Sequence, residues 1–157
     1  MAVQVAVCGP RECTETEWQQ AHETGALLAA RGAVVICGGY GGVMAAAAEG
    51  ARANGGLVIG ILSGADRTGA NPHLSVVIPT GLGEARNAII VRAADAVIVI
   101  GGSWGTLSEV ALAKRRGDVP VVQLGGWQVI GSDDYPVPGI LQATTPEEAL
   151  ALTGLWP

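Results

Sequence analysis

An α/β three-layer sandwich around a mostly parallel sheet of about six or seven strands is the fold class the sequence predicts, and three observations predict it. Short runs of Val, Ile and Ala alternate with helical stretches along the whole chain, the pattern of strands feeding crossover helices. The strand runs are continuously apolar, as in strands buried on both faces. Glycine supplies 24 of the 157 residues and Phe none, and the glycines cluster where strands give way to helices. The length fits one domain, residues 1–157, with no linker, repeat array or low-complexity segment.

Val3 to Cys8 is an apolar run closed by Gly9-Pro10, a strand and its stop. Thr14 and Glu17 form a capping-box pattern that opens a helix to about Ala30, with Trp18, Ala21 and Leu28 on its inward face. Arg31-Gly32 ends it. Ala33 to Cys37 is the second strand, and Gly38 to Gly42 turns into a helix from Val43 to about Ala53. Leu57 to Leu62 is the third strand, followed by a polar loop, Ser63 to Pro72. Leu74 to Ile78 is a fourth strand, Gly83 to Ala93 a helix and Ala96 to Ile100 a fifth strand. Gly101 to Gly105 is a second glycine turn, feeding a helix from Thr106 to about Arg116. Val119 to Leu124 is the sixth strand. Trp127 to Pro138 is irregular, and Pro146 sits in the first turn of a short last helix. Together these elements make a Rossmann-like domain.

Charge and composition exclude several functions. The net charge is −5, and the only basic run is Lys114-Arg115-Arg116, so nucleic acid is not an expected partner. Ala94 to Ile100 is too short to span a bilayer. No cationic leader or cleavage pattern begins the chain, and three cysteines make no disulfide framework; the cytoplasm is the expected location. Lys114 is the only lysine and follows no glycine turn, which excludes a P-loop and a pyridoxal Schiff base. No ligand spacing for a metal and no Ser/His/Asp arrangement is present. Cys8 and Cys37 read as core residues, and His73 borders the long loop.

In an open α/β sheet, ligands bind beyond the carboxyl ends of the strands. Gly9, the Gly38–Gly42 cluster and the Gly101–Gly105 cluster all fall there. Glycine lets the backbone approach a ligand, and each following helix offers unpaired N–H groups and a positive dipole end that attract phosphate. Tight turning alone would also explain the glycines, but two such clusters on one sheet edge point to binding of a phosphorylated small molecule. Thr106 and Glu109 either face a ligand together or form a capping box with each other. Arg86, between Glu84 and Asn87, taken alone reads as an exposed helix arginine paired with an acid.

Taken together, these residues resemble a known superfamily. Gly38-Gly39-Tyr40-Gly41-Gly42-Val43-Met44 looks like its first glycine motif. Gly101-Gly102-Ser103-Trp104-Gly105-Thr106-Leu107-Ser108-Glu109 looks like its Gly-Gly-x-Gly-Thr-x-x-Glu signature, and Glu84-Ala85-Arg86-Asn87 precedes it by the expected strand. This is the LOG-like group, often mislabelled lysine decarboxylase. It also holds the molybdenum cofactor carrier proteins and is distantly similar to the DprA/Smf proteins. The resemblance implies a homodimer or tetramer. It further implies a site drawn from Gly9, Gly38, Gly39, Gly41, Gly42, Met44, Arg86, Asn87, Gly101, Gly102, Ser103, Gly105, Thr106 and Glu109. In the LOG-type enzymes Arg86 and Glu109 would be the catalytic pair, cleaving a cytokinin nucleoside 5′-monophosphate to free base and ribose 5-phosphate. Those enzymes carry Lys where this chain has Asn87, and Pro where it has Ile100. Both departures look more like the carrier branch, which implies a binding protein for a nucleotide-like ligand, with molybdenum cofactor as cargo rather than a resident cofactor.

Overall fold

The computed structural model describes residues 1–157. Seven strands form one sheet in the order β4-β3-β2-β1-β5-β6-β7, and every pairing is parallel. The strands are β1 (Gln4–Cys8), β2 (Val34–Cys37), β3 (Leu57–Leu62), β4 (Val76–Pro79), β5 (Ala96–Ile100), β6 (Val121–Leu124) and β7 (Leu141–Ala143). The helices are α1 (Glu15–Ala30), α2 (Val43–Ala53), α3 (Asn87–Arg92), α4 (Trp104–Arg116) and α5 (Pro146–Leu152). No helix is long and apolar enough to cross a membrane.

The chain leaves β1 outward through β2, β3 and β4, then returns to the other side of β1 as β5. The order therefore reverses between β1 and β5, where Cys8 pairs with Val99. Strand alternation divides the core. Val5, Val7, Ile98 and Ile100 pack with α1, α2 and α5, while Ala6, Cys8, Val97 and Val99 pack with α3 and α4. Such two-sided burial is the reason the strands read as unbroken apolar runs.

The Thr14 capping box is present, with Glu17 N–H donating to Thr14 Oγ1 and Thr14 N–H to the Glu17 carboxylate. Alanine and glycine let α1 and α2 approach closely. A Cβ on Gly25 would stand 2.0 Å from Ala47 O, and one on Gly50 1.9 Å from His22 O. Most of α2 is consumed in this contact and against the sheet; its alanine-rich surface serves packing within the chain.

Several elements depart from the sequence expectations. Trp18 lies at the surface, stacked on His22 with ring centroids 5.1 Å apart, while Ala21 and Leu28 are buried as expected. The single helix expected over 83–93 is a 3-10 turn, Gly83–Arg86, followed by the short α3. Helix α4 begins at Trp104, two residues before Thr106. Strand β7 is an addition: three residues on the sheet edge, two of them exposed.

Candidate functional site

At the carboxyl edge of the sheet, around the β1/β5 reversal, lies a cleft of about 260 Å³. Gly9, Pro10 and Arg11 line it from the turn after β1, and Gly38 and Met44 from the turn and helix after β2. Glu84, Arg86 and Asn87 come from the 3-10 turn and α3, and Ser103, Gly105, Thr106 and Glu109 from the start of α4. Met44 is the single apolar lining residue.

The lining includes nine of the residues singled out from sequence: Gly9, Gly38, Met44, Arg86, Asn87, Ser103, Gly105, Thr106 and Glu109. The other five glycines stand behind it. A Cβ on Gly39 would meet Leu62 at 2.4 Å, one on Gly42 Arg11 O at 2.2 Å, one on Gly101 the Glu17 carboxylate at 2.8 Å, and one on Gly102 the Trp127 ring at 2.5 Å. These four shape the turns. Gly41 faces Arg11 at 3.7 Å. His73 is not among the cleft-lining residues; its backbone N–H donates to Asn71 Oδ1. Pro10, Arg11 and Glu84 also line the cleft; their signal in sequence was position alone, at a strand end and beside Arg86.

Arg86 is not the exposed helix arginine its neighbours suggested. It is 7% exposed. Its Nε donates to Ile61 O at 2.9 Å and its Nη1 to Asn87 Oδ1. Asn87 is held in turn, donating to Ser108 Oγ at 2.8 Å. No carboxylate lies within 4.0 Å of Arg86; the one ion pair of the chain is Arg116 with Asp118. A buried guanidinium without a counterion is costly unless something else supplies negative charge.

The backbone around the cleft adds to this positive field. Ser103 caps α4 and accepts from Thr106 N–H. The Thr106–Glu109 capping box is therefore not formed, because the cap lies one turn earlier, and the Thr106 hydroxyl instead meets Ser103 Oγ at 2.9 Å. The N–H groups of Trp104 and Gly105 have no acceptor in the protein, nor do those of Met44 and Ala45 at the start of α2. Two helix N-termini thus converge on one cleft.

Two acids line the cleft, Glu84, which is exposed, and Glu109, which is 8% exposed. Burial pushes the Glu109 carboxyl up to about 7, opposed by a hydrogen bond from the Cys8 thiol and by the charge of Arg86, while Glu84 adds to the rise. Cys8 is itself raised well above the usual thiol value, by burial first and by Glu109 next, and burial raises Cys37 to about 12. Neither thiol lines the cleft. No group of three or more His, Cys, Asp or Glu side chains is placed to hold a metal ion. Tyr40 ties the long loop to the site's outer wall. Its hydroxyl meets Ser63 Oγ and accepts from Gly64 N–H, each at 3.1 Å, and Arg11 lies over its ring at 4.3 Å.

The profile of the SLOG cluster4 family matches residues 2–150. An uncharacterized protein of Archaeoglobus fulgidus is 44% identical over 115 residues, covering 73% of this chain and 76% of its own length. The structure of the molybdenum cofactor binding protein from the phototrophic bacterium Rippkaea orientalis superposes with a TM-score of 0.87. It is 35% identical, across 97% of this chain and 95% of that one. The molybdenum cofactor carrier protein from Chlamydomonas reinhardtii superposes with a TM-score of 0.81 at 28% identity, across 96% and 95%.

Proposed function

The chain belongs to the SLOG cluster4 family, and from that premise we propose that it binds and carries a phosphorylated heteroaromatic cofactor, the molybdenum cofactor being the cargo that best fits its cleft. One observation carries the reading: Arg86, buried and with no carboxylate within 4.0 Å, faces a polar cleft together with the free N–H groups of two helix starts. That arrangement asks for a dianion, which a phosphate monoester supplies. The similarity to a molybdenum cofactor binding protein supports the same conclusion. No cysteine is among the residues lining the cleft. The protein's grip falls on the phosphate and on the organic ring.

The test is mass spectrometry of the small molecule released when protein purified from a cofactor-producing host is denatured. A phosphorylated pterin at near one per chain is the expected result. Release of no phosphorylated compound, combined with no uptake of the cofactor by the purified protein, would refute the proposal.

A second reading is favoured by Arg86 and Glu109 sharing the cleft with the carboxyl near neutrality. This is the acid–base poise a phosphoribohydrolase requires. Free base released from a panel of nucleoside monophosphates would establish it. The carrier reading expects none, since Asn87 stands where the enzymes have lysine.

A further inference from the structure

Pro10 and Arg11 form the turn after β1, and both glycine clusters close on it. A Cβ on Gly42 would stand 2.2 Å from Arg11 O and 2.3 Å from Pro10 O, and one on Gly101 3.2 Å from Pro10 Cδ. Pro10 O accepts the N–H of Val43, the first residue of α2, at 3.1 Å. Gly42, at φ 62°, is therefore glycine because the β1 turn lies against it. The backbone that carries Arg11 is fixed, and Arg11 lines the cleft.

The Arg11 side chain is exposed but seated. Its guanidinium carbon lies 4.3 Å from the centroid of the Tyr40 ring, and that of Arg86 lies 5.9 Å from the same centroid, both within cation–π reach. Tyr40 is 8% exposed and anchored at two points. Its hydroxyl accepts from Gly64 N–H at 3.1 Å, and its backbone O accepts from Asn71 Nδ2 at 2.9 Å. One ring thus gathers two like charges in the cleft, and neither has a carboxylate within 4.0 Å. Arg86 spends Nε and Nη1 on the protein, while its Nη2 would lie 2.9 Å from a Cβ on Gly38, in the turn that leads to α2. Two guanidiniums held together without an acid repel each other, and a shared polyanion reverses that cost.

We propose that Arg11, with the free N–H groups of Met44 and Ala45, holds a second phosphate linked to the one at Arg86 and the start of α4, and that the ligand is therefore a diphosphate ester. This rests on the phosphate-binding reading above and deepens it. Two helix starts and two guanidiniums then meet two phosphates.

The probes are inorganic pyrophosphate and inorganic phosphate, compared by equilibrium dialysis at one ionic strength. The wild type should bind pyrophosphate about tenfold more tightly, the scale of one charge-assisted hydrogen bond. Arg11→Met should lose that preference, the loss falling chiefly on pyrophosphate, with little change in the urea midpoint because the side chain is exposed. Arg11→Lys keeps the charge without the planar fork and should recover part of the preference. A preference unchanged in Arg11→Met would overturn the assignment. So would an equal loss for both probes accompanied by a lower urea midpoint, the mark of a purely structural role. If the wild type binds phosphate with no preference for pyrophosphate, the role of Arg11 fails and the phosphate-binding reading stands. If the wild type binds neither probe and releases no phosphorylated compound on denaturation, both proposals fall.

Discussion

Gly105→Ala separates what the fold needs from what a ligand needs. Gly105 lies in the first turn of α4 with helical backbone, outside the set of glycines at positive φ. A Cβ there would meet nothing closer than Glu84 Oε2 and Ser103 Oγ, both at 3.9 Å. Alanine therefore fits without strain. Replacing a helical glycine at a compatible position stabilises by about 0.4 to 1 kcal/mol. For a domain of this size that raises Tm by roughly 1 to 4 °C. The same methyl enters the cleft beside the free N–H groups of Trp104 and Gly105, where the proposed phosphate sits. Overfilling a packed site costs about 1 to 3 kcal/mol, a factor of roughly 5 to 150 in affinity. The variant should melt higher and bind worse. Differential scanning calorimetry and dialysis against ribose 5-phosphate measure the two effects on one sample. A variant that gains stability and keeps its full affinity would refute the placement of the phosphate at α4.

Three further outcomes follow from the same geometry. Glu109 titrates near 7 in the fold against an ordinary 4.5, so it favours the folded state fully below about pH 4.5, and that contribution is lost as pH rises through 7. Urea unfolding should find Glu109→Gln and the wild type similar at pH 5, with the variant more stable by up to a few kcal/mol at pH 8. Gly9→Ala and Gly38→Ala should fail differently. At Gly9 the Cβ meets Val43 Cγ1 at 2.4 Å and the Ile100 backbone at 2.5 Å, a clash within the core expected to cost about 1 to 3 kcal/mol of stability. At Gly38 it meets side-chain ends only, Met44 Sδ at 2.7 Å and Arg86 Nη2 at 2.9 Å, so chemical denaturation should change less than for Gly9→Ala, and the displaced guanidinium should weaken phosphate binding. Arg86→Met removes the buried guanidinium together with its hydrogen bonds to Ile61 O and Asn87 Oδ1; it should lose phosphate binding in dialysis, and urea unfolding should show a loss of about 1 to 3 kcal/mol from the acceptors left unpaired.

Local signals were legible in the sequence and long-range ones were not. The Thr14–Glu17 box is a contact between residues three apart, and it is present. The Thr106–Glu109 pair has the same spacing, yet Ser103 outcompetes Thr106 by capping one turn earlier, a competition that spacing alone does not settle. The burial of Arg86 depends on Ile61 O, 25 residues away, and on α3 starting only at Asn87. Residue pattern alone therefore assigned it to the surface, and only the family resemblance placed it in the site. Strand β7 escaped because Leu141 and Gln142 are exposed on an edge, so it lacks the unbroken apolar run that marked the inner strands.

The glycines sort into two physical classes, and the distinction bears on what the cleft does. Gly9, Gly39, Gly42, Gly101 and Gly102 are required by the fold, because a side chain at any of them would meet protein within 3 Å. Gly105 is required by nothing in the chain, and it weakens the helix that carries it. Arg86 is a buried charge with no carboxylate within 4.0 Å. Each of these two lowers stability, and both face the same space as the unpaired N–H groups of α4. The proposed phosphate, bound there, would relieve the Arg86 charge and use the room at Gly105, so that one ligand would offset both costs. Glu109 fits the same scheme: a carboxyl that is half protonated at neutrality can donate a hydrogen bond toward the ligand without adding a full negative charge beside its phosphate.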